Sequence, residues 1–111
     1  MFVVRITMTS MPDKQLEVMQ TLLSMIEPTG METGCLSYAG FRNIENMNRF
    51  NLLGEWETRE DLDRHIRSAR FGVLLGTKSL LREPPQIEIH TVSSSEGMES
   101  VNAVRSGRSE S

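Results

Sequence analysis

The chain has 111 residues, of which 38% are hydrophobic and 24% charged, with a formal net charge of −3 at pH 7. This length and composition predict one soluble globular domain, and the acidic balance argues against a nucleic-acid-binding surface, which usually needs a basic excess. Because no apolar run approaches the roughly 20 residues of a membrane span and no secretory leader is visible, we expect no membrane partner and a cytoplasmic location.

A strand and an amphipathic helix are predicted for the first part of the chain. Residues 2–9 are rich in β-branched side chains and alternate apolar with more polar positions, which indicates a strand with one buried face. Ser10 and Pro12 then predict the start of a helix over residues 13–27, with the serine as N-cap and the proline in the first turn. The apolar stripe of this helix is expected to contain Leu16, Met19, Leu23 and Ile26, widened by Val18, Leu22 and Met25.

Two strands joined by a polar hairpin turn are predicted over residues 34–44 and 49–57. Cys35 is the only cysteine, so no intrachain disulfide is possible, and we interpret it as a small apolar residue rather than a reactive thiol. One face of the first strand is expected to carry Leu36, Tyr38 and Ile44, and the other Cys35, Ala39 and Phe41. One face of the second strand is expected to carry Phe50, Leu52 and Trp56.

Two short helical segments and a fourth strand complete the predicted domain. Thr58 begins a capping box and a helix that contains His65. Ser68 caps the chain again for a second helical segment that includes Phe71 and ends before two prolines. Residues 86–92 alternate isoleucine with polar side chains, which predicts a strand.

The predicted order β-α-β-β-α-β is that of the ferredoxin-like split β-α-β fold, an α+β arrangement with helices on one face of a four-stranded antiparallel sheet. We assign this domain to residues 1–92. Since both sheet faces are partly apolar, the uncovered face is expected to pack against a second copy in a homodimer. Residues 93–111 form a serine-rich C-terminal tail, in which residues 97–105 are expected to make one or two helical turns against a partner subunit and residues 106–111 a loose end.

Several short motifs resemble one protein family. They are G-C-L-S-Y at residues 34–38, F-N-L-L-G-E-W at residues 50–56, D-L at residues 61–62 followed by His65, and finally Phe71. With the order of elements over residues 2–92, this pattern resembles the antibiotic biosynthesis monooxygenase superfamily, and its quinol-monooxygenase-like branch in particular.

The resemblance implies a dimeric α/β barrel that oxidises phenolic or quinol substrates with O2 and uses no metal or organic cofactor. A related branch binds and degrades haem with an Asn on its first strand together with a Trp and a His. Residues 4–7 of this chain read V-R-I-T where that Asn would stand. Relatives also often carry an acid two residues before the Trp, and this chain has Gly54 there.

His65 is the predicted base of the candidate site, since an imidazole exchanges protons near neutral pH. Asp61 lies four residues earlier on the same helix and is expected to orient it. Trp56 and Phe71 would hold an aromatic ring. The competing interpretations are a half-exposed histidine paired with Asp61, and ordinary core positions for Trp56 and Phe71.

Tyr38, Arg42 and Asn43 complete the predicted substrate-binding set. Tyr38 would donate a hydrogen bond to a substrate oxygen or fill the sheet face, whereas Arg42 and Asn43 would reach a ligand or be solvated hairpin residues. The leading functional interpretation is a homodimeric, cofactor-independent monooxygenase of a small quinol or polyphenol, with no metal. The alternatives are a non-enzymatic dimeric ligand-binding or stress-response domain, and a haem-binding or haem-degrading relative in which His65 ligates iron.

Overall fold

The predicted order of strands and helices is confirmed in the computed structural model, which describes residues 1–107. The strands are β1 (Phe2–Thr9), β2 (Cys35–Arg42), β3 (Arg49–Trp56) and β4 (Gln86–Thr91), and the α-helices are α1 (Gln15–Gly30), α2 (Arg59–Ile66), α3 (Ala69–Gly76) and α4 (Met98–Arg105). All strand pairs are antiparallel, in the order β2-β3-β1-β4. The architecture is the predicted ferredoxin-like α+β fold. Part of the predicted loose end, residues 108–111, lies outside the described residues.

One face of the sheet forms the core with the helices. Alternate residues of β1 and β3 are buried, as the period-two pattern predicts, and α1 packs over them. Full burial of one such side chain contributes roughly 1.5–3 kcal/mol, so this shared face holds the helices against the sheet. Its central members are Val4, Ile6, Met8, Val18, Leu22, Met25, Phe50, Leu52 and Trp56.

The start and end of α1 differ from the prediction. Ser10 is not its N-cap: its backbone N–H donates to the Asn48 carbonyl at 2.7 Å, and its buried hydroxyl has no partner within residues 1–107. A 3-10 turn at Pro12–Lys14 comes first, and α1 begins without a side-chain cap. The helix then passes through Pro28 to Gly30, although proline has no backbone N–H to donate to the preceding turn.

The buried stripe of α1 is also rotated from the predicted one. Leu16 is exposed and Leu23 is 62% exposed, whereas the stripe that faces the sheet consists of Val18, Leu22, Met25 and Thr29. Apolar side chains occur on two sides of this helix, so periodicity alone does not fix which side meets the sheet.

A β-bulge at the start of β2 changes the facing of two residues. Cys35 lies opposite Trp56 and Ser37 lies opposite Glu55, so Leu36 is an extra residue without a partner. One extra residue shifts the alternation by one position. Cys35 therefore packs against the core instead of facing away from it, and Leu36 is exposed instead of sharing a face with Tyr38.

The uncovered sheet face combines apolar and polar areas. Phe41 of β2 is exposed there, whereas β1 and β4 contribute an ion pair between Arg5 and Glu88 at 2.9 Å. Helix α4 also exposes its apolar residues Met98, Val101 and Val104. Packing of this face against a second chain, and contact of residues 97–105 with a partner, stay predictions.

Candidate functional site

Two capping residues position the helices that carry His65 and Phe71. Thr58 Oγ1 accepts a hydrogen bond from the Asp61 amide at 3.1 Å, and Ser68 Oγ accepts one from the Phe71 amide at 3.2 Å. Both predicted caps are confirmed, and caps of this kind typically contribute about 1 kcal/mol each. Because Ser68 has extended backbone, α3 starts in a new direction that brings Phe71 beside His65.

Four aromatic residues meet at the end of β3. The rings of His65 and Trp56 are stacked, with centroids 4.7 Å apart and planes 25° apart. Phe71 and Tyr38 meet the imidazole edge-on, at 5.4 Å and 6.1 Å. Trp56 is 0% exposed and His65 is 3% exposed. The structure thus brings together four of the predicted site residues, but as a closed aromatic cluster rather than at an open pocket mouth.

Glu32 is the residue of this cluster that sequence reasoning missed. Its two carboxylate oxygens lie 3.0 and 3.1 Å from His65 Nδ1, and one of them accepts a hydrogen bond from Arg70 Nη1 at 2.6 Å. Since a carboxylate only accepts hydrogen bonds, Nδ1 must carry the proton and donate it. Within residues 1–107 the imidazole makes no hydrogen bond through Nε2, so the basic lone pair of the neutral ring lies on Nε2.

The loop between α1 and β2 delivers Glu32 to the histidine. Gly34 in this loop has a φ of +80°, and a Cβ there would lie 2.1 Å from Asp61 Oδ2. A glycine is therefore required at this turn. The pairing of Cys35 with Trp56 then places the preceding residues beside the stack. That register is a tertiary feature, so no local pattern in the sequence marks Glu32 as the partner of His65.

Asp61 does not orient His65, contrary to the expectation. Its carboxylate accepts hydrogen bonds from Thr58 Oγ1 at 2.8 Å and from Arg64 Nη1 at 2.9 Å. These two hydrogen bonds lower the pKa of Asp61. The half-exposed His65–Asp61 pair is likewise wrong, because the histidine is buried and bonded to Glu32.

Two buried polar atoms of the cluster have no hydrogen-bond partner within residues 1–107, namely Tyr38 Oη and Trp56 Nε1. A buried unpaired polar group typically costs about 1–3 kcal/mol. Gly54 lies between the two rings: a Cβ there would lie 3.0 Å from Tyr38 Cδ1 and 3.1 Å from Trp56 Nε1. The position where the resemblance implies an acid is therefore filled by the tyrosine ring.

Tyr38 gives a direct spectroscopic test of the cluster, because it is the only tyrosine. Burial, followed by the proximity of Cys35 and Glu32, raises its pKa from 10.0 to about 12. A raised pKa leaves stability unchanged below pH 10 and lowers it as the pH rises toward 12, since the unfolded chain ionises first. We expect the wild type to lose about 2 kcal/mol more than Tyr38→Phe between pH 9 and 11.5. Urea unfolding measures this loss, and phenolate absorbance with a midpoint near 10 in folded protein would contradict it.

Arg42 and Asn43 lie away from this cluster. Arg42 pairs with Phe50, six residues before Trp56 on β3, which corresponds to about 20 Å along a strand. Asn43 Oδ1 accepts hydrogen bonds from the amides of Glu45 and Asn46 and so holds the hairpin turn. Because β2 and β3 are antiparallel, the start of β2 reaches the end of β3, and the end of β2 does not.

The family of the chain follows from its sequence. Residues 1–74 match the model of the antibiotic biosynthesis monooxygenase (ABM) family. The chain belongs to this family. The resemblance of the motifs is therefore confirmed, and the site described above belongs to an ABM domain.

Solved structures agree with this assignment of the ABM domain. A conserved protein from Methanosarcina mazei is 31% identical, with a TM-score of 0.75 over 80% of this chain and 89% of that one. A protein from Deinococcus radiodurans has the same fold, with a TM-score of 0.81 at 16% identity over 87% of this chain and 97% of that one.

An uncharacterised Synechocystis protein, sll1783, is 30% identical over 82 residues, or 73% of this chain. The match spans 56% of the length of that curated relative.

Two further properties of the ABM domain concern metals and membranes. Within residues 1–107, no group of three or more His, Cys, Asp or Glu side chains is placed to hold a metal ion. No helix in the same range is long and apolar enough to cross a membrane.

Proposed function

We propose that this ABM domain oxidises a small quinol or polyphenol with O2, as a homodimer and without a metal or organic cofactor. The observation that carries the proposal is the Glu32–His65 pair stacked against Trp56. The carboxylate holds the proton on Nδ1, which leaves Nε2 to accept a proton from a phenol. Trp56 and Phe71 provide aromatic surfaces for the substrate ring.

The chemistry requires a base because O2 in its ground state accepts one electron far more readily from a phenolate than from a neutral phenol. His65 Nε2 removes the phenolic proton, and the phenolate then reduces O2 to superoxide. Recombination of the two radicals forms a new C–O bond on the ring, and the resulting peroxide takes back the proton from His65; the hydrogen on the attacked ring carbon leaves with the outer oxygen as water. Loss of water leaves one atom of O2 in the product as a carbonyl oxygen, so no external reductant is needed.

Access to His65 depends on helix α3 in this proposal. Arg70 and Phe71 both lie in the first turn of α3, where Arg70 binds Glu32 and Phe71 covers the imidazole edge. A displacement of this turn would uncover the imidazole to a substrate. Return of the turn would exclude water from the reacting phenolate.

The second candidate function is a non-enzymatic dimeric ligand-binding or stress-response domain. The near-complete burial of His65 and Trp56 favours it, because a closed aromatic cluster also serves as a core. A haem-binding relative would instead use His65 Nε2 as an iron ligand.

Oxygen uptake with a panel of hydroquinones and polyphenols tests the proposal. With ¹⁸O2 we expect one labelled atom in the product and no release of hydrogen peroxide, which separates monooxygenation from autoxidation. Tight binding of an aromatic ligand without turnover would establish the binding module instead. A Soret shift on addition of haem would support the haem alternative, and sedimentation as a monomer at micromolar concentration would refute the homodimer.

A further inference from the structure

An apolar groove lies between α1 and the edge of the sheet, far from His65. Its volume is about 160 Å³, comparable to the roughly 150 Å³ cavity that admits benzene. Phe50 of its lining lies six residues before Trp56 on β3, which is about 20 Å along the strand, and no lining residue belongs to the aromatic cluster. The lining includes Met19, Leu23, Ile26, Phe41, Arg42 and Phe50.

Arg42 is the cation in the lining of this groove, and neutral groups hold it in place. Its Nε donates to the Met47 carbonyl at 2.8 Å, its Nη2 donates to Gln15 Oε1 at 2.6 Å, and its guanidinium lies 4.9 Å from the centre of the Phe50 ring. Within residues 1–107, no carboxylate forms an ion pair with it. A guanidinium has five N–H groups, so donors remain for a ligand.

The apolar walls of the groove are incompletely covered. Leu23 on the α1 side is 62% exposed, whereas Phe50 on the floor is buried. A flat apolar ligand would remove the Leu23 side chain from water. The absence of a side chain at Gly40 keeps the groove open, since a Cβ there would lie 3.2 Å from Ile26 Cδ1.

We propose that this groove binds a small aromatic carboxylate, with its ring between α1 and the β2 edge of the sheet and its carboxylate on the Arg42 guanidinium. The charge of Arg42 selects an anion, because a guanidinium can pair with a carboxylate through two parallel charge-assisted hydrogen bonds. The volume limits the apolar part to about one ring. The site is independent of His65 and does not require the proposed oxygenase activity.

Titration of the full chain with benzoate and with benzyl alcohol, followed by amide chemical shifts, tests the proposal. Benzoate is expected to bind in the millimolar range or tighter, with shifts confined to α1 and the end of β2. Arg42→Gln should weaken benzoate at least tenfold and leave benzyl alcohol unchanged. Arg49→Gln is the matched control, because Arg49 lies on the opposite sheet face, and it should change neither ligand.

The Leu23→Ser variant tests the contribution of the apolar wall to binding separately from that of the Arg42 charge. Since Leu23 is largely exposed, the fold should persist, and both ligands should weaken by a similar factor. Equal affinity of wild type for benzoate and benzyl alcohol would overturn the proposal. Amide shifts centred on Trp56 and His65 on addition of benzoate would also overturn the proposal. This result comes from the wild type, so it holds even if Arg42→Gln fails to fold.

Discussion

Replacement of Trp56 by alanine is expected to lower the free energy of unfolding by about 3–5 kcal/mol. The side chain is 0% exposed and stacks on His65 with ring centroids 4.7 Å apart. Its removal would leave a cavity beneath α2, with Tyr38 and Phe71 unsupported on either side of the imidazole. Trp56→Phe keeps an aromatic surface and should cost less than half as much.

Urea unfolding measures this loss. It is monitored by far-ultraviolet circular dichroism, because the replaced residue is the only tryptophan and its fluorescence is lost in the variant. Ile44→Ala is the matched control: Ile44 is 95% exposed, and its truncation should change stability by no more than about 0.5 kcal/mol. If Trp56→Ala were as mild as this control, the aromatic cluster could not be the packed unit described here.

The sequence was sufficient for the order of elements and for most of the core. The alternation of apolar and polar residues in β1 and β3 identified the buried face, because successive side chains of a strand point to opposite faces of the sheet. Thr58 and Ser68 were recognisable as caps, since an N-cap bonds only to amides two or three residues away. Such local interactions depend little on the rest of the fold.

Features that depend on tertiary packing were not predictable in the same way. The contact of Glu32 with His65 joins residues 33 positions apart, and only the register of β2 against β3 brings them together. The bulge at Leu36 reverses the facing of Cys35, and no residue type marks it in advance. For the same reason the sequence predicts Asp61, the local candidate, and gives no sign of the more distant Glu32.

Replacement of His65 by asparagine is expected to lower kcat for quinol oxidation by about 10²–10⁴-fold, the usual contribution of a general base. Asparagine keeps a polar group near Glu32 but offers no basic nitrogen. Glu32→Gln should lower kcat less, by about 10–100-fold, because the imidazole remains while its orienting carboxylate is lost. His90→Asn is the control, since His90 is the other histidine and lies exposed on β4.

The pH dependence separates a catalytic base from a core residue. If His65 is the base, its loss should remove the acidic limb of the kcat/KM profile, and added imidazole should restore part of the rate. If His65→Asn lowers the unfolding temperature while wild-type kcat and the acidic limb persist, the imidazole stabilises the aromatic cluster only. The oxygenase proposal would then fail, and the binding-domain alternative would be favoured.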